Sequence, residues 1–144
     1  MIPSKTVLGI VAEYDPFHNG HAYHLEQARK SVRPDSVYTV ISPCLKQRGE
    51  LSLLSPYMRG ACAVQAGADA VFTLPVLWTV RDAEHYALGA VSLLCGLGIT
   101  HLSFGAETDD LKILSLAADF LEDPPSGFPE TLKLFLQEGT GYPA

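Results

Sequence analysis

The sequence predicts an α/β fold in which a parallel sheet is flanked by helices, and three observations predict it. Strand-like and helix-like segments alternate along the chain. The first strand-like segment, Thr6–Glu13, is rich in β-branched and apolar residues, like a strand buried on both faces. Proline, glycine and small polar residues stand at the boundaries, where turns and helix caps need them.

Taken in order, Thr6–Glu13 (TVLGIVAE) reads as the first strand, and a helix opens near Gly20 and ends before Arg33-Pro34. Ser36–Ser42 is a second strand, and Pro43–Ser55 is too polar and irregular for an element. Ser55-Pro56 offers an N-cap followed by proline at the first helical position, so a helix runs from there to about Ala66. Gly67 closes it, Ala68–Pro75 is a third strand and Val76–Asp82 a connecting loop. Asp82 caps the next helix, with Gly98 placed as its terminating glycine. Thr100–Gly105 is a fourth strand. The segments Asp109–Glu122 and Pro129–Gly139 are amphipathic helices separated by the turn-forming Asp123–Gly127. Alternation of this kind implies right-handed crossovers, with ligands bound beyond the carboxyl ends of the strands. The four loops expected to converge there are Tyr14–Gly20, Pro43–Ser55, Pro75–Asp82 and Gly105–Asp109.

Length and composition fit one globular domain, residues 1–144, with 47% hydrophobic and 18% charged residues. The net charge of −6 argues against strong nucleic-acid or anionic-membrane binding by this segment alone. Lys46 and Arg48, with Arg59 and Arg81 elsewhere, are the material for a local basic patch. Cys44, Cys62 and Cys95 have neither disulfide-framework nor zinc spacing; Cys62 and Cys95 fall in apolar helical patterns as buried thiols, and Cys44 lies in a polar loop. No signal-peptide pattern and no bilayer-length apolar run is present, so a cytoplasmic protein is expected.

The chemistry concentrates in the loop after the first strand, Asp15-Pro16-Phe17-His18-Asn19-Gly20-His21. A buried strand running into a helix start presents backbone N–H groups and the positive helix end to an anion. Pro16 stiffens the loop and Gly20 allows close approach of a ligand. His18 and His21 straddle the helix start and can both donate to phosphate oxygens. His24, one turn further on, reads as a packing residue. A metal is not expected: i, i+3 spacing brings only two of the three histidines to one helical face, and no cysteine or carboxylate cluster completes a set.

His18-Asn19-Gly20-His21 resembles the HxGH motif of the adenylyl-transferring superfamily that includes class I aminoacyl-tRNA synthetases and small nucleotidyltransferases. A closer resemblance follows. Glu13–Leu25 (EYDPFHNGHAYHL) is similar to the opening of bacterial tRNA(Met) cytidine acetate ligases, typically EYNPFHNGHLYHL. Lys46–Glu50 resembles their QRGEP segment, Arg59–Trp78 their helix-strand segment ending in ELP, and Ala83–Glu107 the stretch ending in SFGSE.

The resemblance implies a Rossmann-like (HUP-type) nucleotidyltransferase fold and an ATP-dependent ligase. It would activate acetate to acetyl-adenylate and pass the acetyl group to N4 of the wobble cytidine of elongator tRNA(Met). Carried over by motif, Ile10, Val11, Ala12, Glu13, Tyr14, Asp15, Pro16, Phe17, His18, Asn19, Gly20, His21 and Gly105 would contact ATP, with Mg2+ carried by the nucleotide. His18, His21 and Arg48 would act on the phosphates. Lys46 and Arg81 are further cations on loops of the same edge, and Glu50, Glu84 and Glu107 could orient loops or hold ribose hydroxyls. His85 and His101 read as packing or surface residues.

The sequence also departs from the family pattern. Asp15 replaces the usual Asn, SPCLKQRGE stands for SGNFVQRGE, and VRDAEH replaces an uncharged segment. Family members are longer: GTGYPA resembles the start of their SYPxAR motif, and their later ATP-binding Asn and Arg positions and tRNA-binding C-terminal region have no counterpart here. Binding of tRNA is therefore expected only with that region, while ATP and acetate or another small acceptor are expected of this one. Two rival readings stay open: a small-molecule adenylyltransferase of the phosphopantetheine or nicotinamide mononucleotide type, and a non-catalytic nucleotide-binding module.

Overall fold

A computed structural model describes residues 5–137, and the chain divides into two compact units, residues 1–105 and 106–144. The first unit is a four-stranded, wholly parallel sheet of order β3-β2-β1-β4. Its strands are β1 (Val7–Val11), β2 (Ser36–Ile41), β3 (Ala70–Thr73) and β4 (His101–Ser103). Register pairs Ile10 with Thr39 on one side and Ser103 on the other.

The two faces follow from the period of two along each strand. Leu8, Ile10, Val37 and Ile41 pack with Leu25 and Ala28 of α1 (Asn19–Val32) and Ala63 of α2 (Pro56–Gln65). Val40 packs on the other face with Ala90 and Leu94 of α4 (Ala83–Gly96). Gly9 is needed for that approach, because a Cβ there would lie 2.8 Å from Ile99 and 3.1 Å from Leu94. The expectation of a first strand buried on both faces holds for β1, and β2 is largely buried too. β3 and β4 are short edge strands with half-exposed or exposed residues.

Ser55 and Asp82 cap α2 and α4 as expected, accepting the Met58 and His85 N–H groups. Gly67 and Gly98 adopt positive φ at the helix ends. The segment after Pro75, expected as loop, contains one helical turn, α3 (Val76–Thr79). The Trp78 ring explains it by packing flat on Gly89, where a Cβ would come within 2.7 Å. The second loop contains a 3-10 turn at Gln47–Gly49 and an antiparallel bridge between Leu45 and Leu51. Cys62 is only half-buried and Cys95 is exposed, against the expectation of buried thiols; Cys44 is exposed.

The second unit contains α5 (Leu111–Glu122), capped by Asp110, and α6 (Phe128–Gln137), with Phe120 and Phe128 edge to face at 4.9 Å. The expected end of the last helix at Gly139, and the GTGYPA segment, lie outside the described residues. No helix among the described residues is long and apolar enough to cross a membrane.

Candidate active site at the β1–β4 switch point

From β1 the chain steps outward to β2 and β3, then returns through α4 to place β4 on the opposite side of β1. This reversal makes the crevice between the carboxyl ends of β1 and β4 the topological switch point, where open α/β sheets bind ligands. The loop after β1 and the residues after Ser103 form its two walls.

At the end of β1, Tyr14 takes a left-handed conformation (φ 53°) with its ring fully buried. That conformation is uncommon for a bulky residue and is sustained by packing. The ring meets Phe17 and His21 edge-on at 5.0 and 4.9 Å, so a core residue braces the second motif histidine. Burial pushes the Tyr14 phenol above its ordinary range.

The histidines cap α1 reciprocally. His18 is the N-cap, and its Nδ1 accepts the Gly20 N–H at 3.1 Å. Its own N–H donates to Nδ1 of His21 at 3.3 Å. Both Nδ1 atoms therefore act as acceptors, which leaves Nε2 as the N–H position of each ring. The rings stack with centroids 3.7 Å apart. Among the described residues neither Nε2 has a protein partner.

Two expectations change here. Backbone donors at the helix start are largely taken internally, since Gly20 N–H meets the His18 ring and His21 N–H meets the His18 carbonyl. The free donors are imidazole N–H groups instead. Gly20 makes room for the His18 ring, which a Cβ would approach to 3.0 Å, before it makes room for any ligand.

Burial, then the neighbouring His18 and His24, hold His21 below the usual histidine pKa, so it is a neutral donor at neutral pH. His24 is more than packing: its Nε2 lies 2.9 Å from the hydroxyl of Ser103, the last residue of β4. Burial lowers its pKa too.

Other expected site residues are placed differently. Ile10 is fully buried in the sheet. The Asp15 side chain is 1% exposed. Its two oxygens accept the Leu53 and Leu54 N–H groups at 2.9 and 3.1 Å, and Lys46 Nζ lies 3.3 Å away. Burial alone would raise the Asp15 pKa, but those two N–H groups and the ammonium together hold it below the usual carboxylate range. Lys46 is thereby tied to Asp15 and, at 3.6 Å, to Glu50. Pro16, Asn19 and Gly20 are exposed; Val11, Ala12, Glu13 and Phe17 are half-buried. Gly105 is exposed, and a Cβ there would meet nothing within 4 Å. Arg48 lies in the 3-10 turn after β2, and its side chain is outside the described residues. Arg81 is exposed.

Sequence reasoning missed Arg59. It is not part of a basic patch but fully buried. Its guanidinium donates to the carbonyls of Glu13 (2.7 Å), Ser42 (2.8 Å), Leu54 (3.2 Å) and Pro43, and lies 3.8 Å from the Glu13 carboxylate. Glu13 also accepts from the Ser42 hydroxyl. The position of Arg59 in the first turn of a helix behind the carboxyl edge was the available signal. Among the described residues, Glu13 Oε1 and the Tyr86 hydroxyl are buried without a geometrically formed hydrogen bond. Burial and the nearby Glu13 carboxylate push the Tyr86 phenol upward. Among the described residues no three His, Cys, Asp or Glu side chains group as a metal site. A groove of about 580 Å³ between α2 and β3, lined in part by Tyr57, Val64 and Val71, lies two strands from the switch point.

A parallel α/β sheet with a histidine-capped helix at its switch point defines a nucleotidyltransferase-like protein. The chain belongs to the family described as HIGH Nucleotidyl Transferase, which it matches over residues 5–144. It is similar to the tRNA(Met) cytidine acetate ligases of Kosmotoga olearia (42% identical over 138 residues) and Thermosipho melanesiensis (41% over 138). These alignments cover 96% and 95% of this chain but 32% of each relative. It is also similar to the crystal structure of Thermotoga maritima TmcAL bound with alpha-thio ATP. The TM-score is 0.81 at 40% identity, over 93% of this chain and 33% of that one. The chain thus spans about a third of the length of the relatives it matches.

Proposed function

We propose that this chain is an ATP-binding, adenylyl-transferring domain, residues 1–144 serving as one nucleotide-handling domain of an acetate ligase acting in the cytoplasm. The observation that carries the reading is the pair of stacked imidazoles at the switch point, both with Nε2–H as the available donor. Two such donors at a helix start suit the oxygens of a triphosphate, whose negative charge grows as pyrophosphate leaves. Acetate oxygen attacks the α-phosphorus, the bond to the bridging oxygen of pyrophosphate breaks, and acetyl-adenylate remains. Mg2+ would be carried by the phosphates of the nucleotide, where it would offset their negative charge. Arg48 is the cation we assign to the phosphates. The naming of the relatives supports cytidine of tRNA(Met) as the final acyl acceptor, reached with the further length those relatives have.

Exchange of pyrophosphate into ATP tests this. Acetate-dependent exchange supports the ligase, exchange with another acceptor supports a small-molecule adenylyltransferase, and ATP binding without exchange supports a binding module. Because both histidines cap α1, alanine variants mix a capping loss of about 1 kcal/mol with any ligand effect. His18→Asn keeps an oxygen for the Gly20 N–H and removes the Nε2 donor. It is expected to weaken ATP binding by about tenfold or more with the melting temperature nearly unchanged. Wild-type affinity in that variant would remove His18 from the phosphate site.

A further inference from the structure

We infer that His24 is a positioning residue for the nucleoside half of the site, acting through Ser103. This rests on the ATP reading above and extends it to residues outside the HxGH motif. The opposite wall of the crevice is β4, a three-residue strand that pairs, among the described residues, with β1 alone. A strand that short has few ladder bonds to hold its end. The His24–Ser103 hydrogen bond, 2.9 Å long and partly buried, is the side-chain tie from α1 to that end. Ser103 shares the sheet face of its register partner Ile10, the face that α1 covers. The same helix thus carries the phosphate donors in its first turn and the tie to β4 in its second.

Beyond Ser103 come Phe104, 52% exposed, and Gly105. Among the described residues, a Cβ at position 105 would meet no atom within 4 Å beyond its chain neighbours, and no positive φ requires glycine there. Open space there, beside an exposed aromatic ring and opposite the histidine donors across the switch point, suits the flat base and ribose of a nucleotide. His24 sets the distance between the two halves: triphosphate on the α1 side, nucleoside on the β4 side.

The test measures binding of ATP and of inorganic tripolyphosphate to wild type, His24→Ala, His24→Gln, Ser103→Ala and the His24→Ala/Ser103→Ala double variant. Ser103→Ala removes a single oxygen atom and serves where His24→Ala folds poorly. Expected are an about tenfold loss of ATP affinity in either alanine variant and no further loss in the double variant. Tripolyphosphate affinity stays within about twofold of wild type, and His24→Gln, whose amide nitrogen reaches the Nε2 position, recovers ATP binding. Wild-type ATP affinity in Ser103→Ala, or equal loss for both probes, overturns the positioning role. A wild-type protein that binds neither probe overturns the nucleotide reading and this inference with it. Loss of both probes in His18→Asn, with loss of ATP alone in Ser103→Ala, separates the two halves.

Discussion

The loops that follow β1 and β2 sit side by side at the same sheet edge and use their polar groups in opposite ways. The first leaves two imidazole Nε2 donors free of protein partners among the described residues. The second is drawn inward: Asp15 holds its Leu53 and Leu54 amides and Lys46, while Arg59 holds its Ser42, Pro43 and Leu54 carbonyls. The segment that carries Lys46 is therefore largely scaffold, with Arg48 alone assigned to the phosphates, and the segment with the imidazole donors is the candidate anion site. Charge count alone points the wrong way because a guanidinium's five donors are as useful to backbone carbonyls as to phosphate.

The largest expected effect tests the scaffold side. Arg59→Met fills the space but leaves the Glu13 carboxylate and several carbonyls without their donor. Leaving these carbonyls without their donor costs about 3 kcal/mol or more in total, readable as a lower urea midpoint at unchanged slope. Arg59→Lys should recover only part of this, since one ammonium cannot reach acceptors spread around a planar fork. A loss under about 1 kcal/mol would mean that the second loop is held by something else, and the contrast between the loops would collapse.

A smaller effect is expected at Asp15, the residue joining the two loops. Asp15→Asn keeps one acceptor, loses the other and turns an amide N–H toward a backbone N–H. Loss of a hydrogen bond of this type costs about 1 kcal/mol, seen as faster hydrogen exchange at Leu53 and Leu54. ATP affinity should change little. A fall as large as that of His18→Asn would move Asp15 from the scaffold to the ligand side.

Much of this division was legible before the fold was known. The strands, the caps at Ser55 and Asp82, and the glycines at 67 and 98 followed from local chemistry that tertiary packing reinforces. The place of the histidine motif in the fold followed too, because a segment directly after the first buried strand must lie at the carboxyl edge. What sequence could not carry were contacts made across long separations. Arg59 reaches Glu13 over 46 residues, and His24 reaches Ser103 over 79. Nor could spacing tell that the motif histidines would cap each other's backbone, which transfers the donor role from the helix amides to the rings. The helical turn at Val76–Thr79 depends on Trp78 finding Gly89, again a contact absent from local pattern.

The smallest expected effect concerns acid. His21 lies below its ordinary value of 6.5 because it is half-buried and faces His18 and His24 along α1, with the Tyr14 ring against its side. A lowered value in the fold means that the unfolded chain binds the proton first, so stability rises with pH where the two states differ. The full contribution is present above about pH 6.5 and is lost as pH falls through the lower folded value. Asp15 adds a second loss of the same sign below its ordinary 3.8. His21→Asn offers an oxygen where Nδ1 stood, keeps the bond from the His18 N–H and cannot titrate. Urea midpoints compared between about pH 7.5 and about pH 5.5 should fall for wild type and fall less for His21→Asn. Equal slopes would show that the ring is as free to protonate in the fold as out of it. The neutral Nε2–H donor on which the first loop's role depends would then give way to an imidazolium.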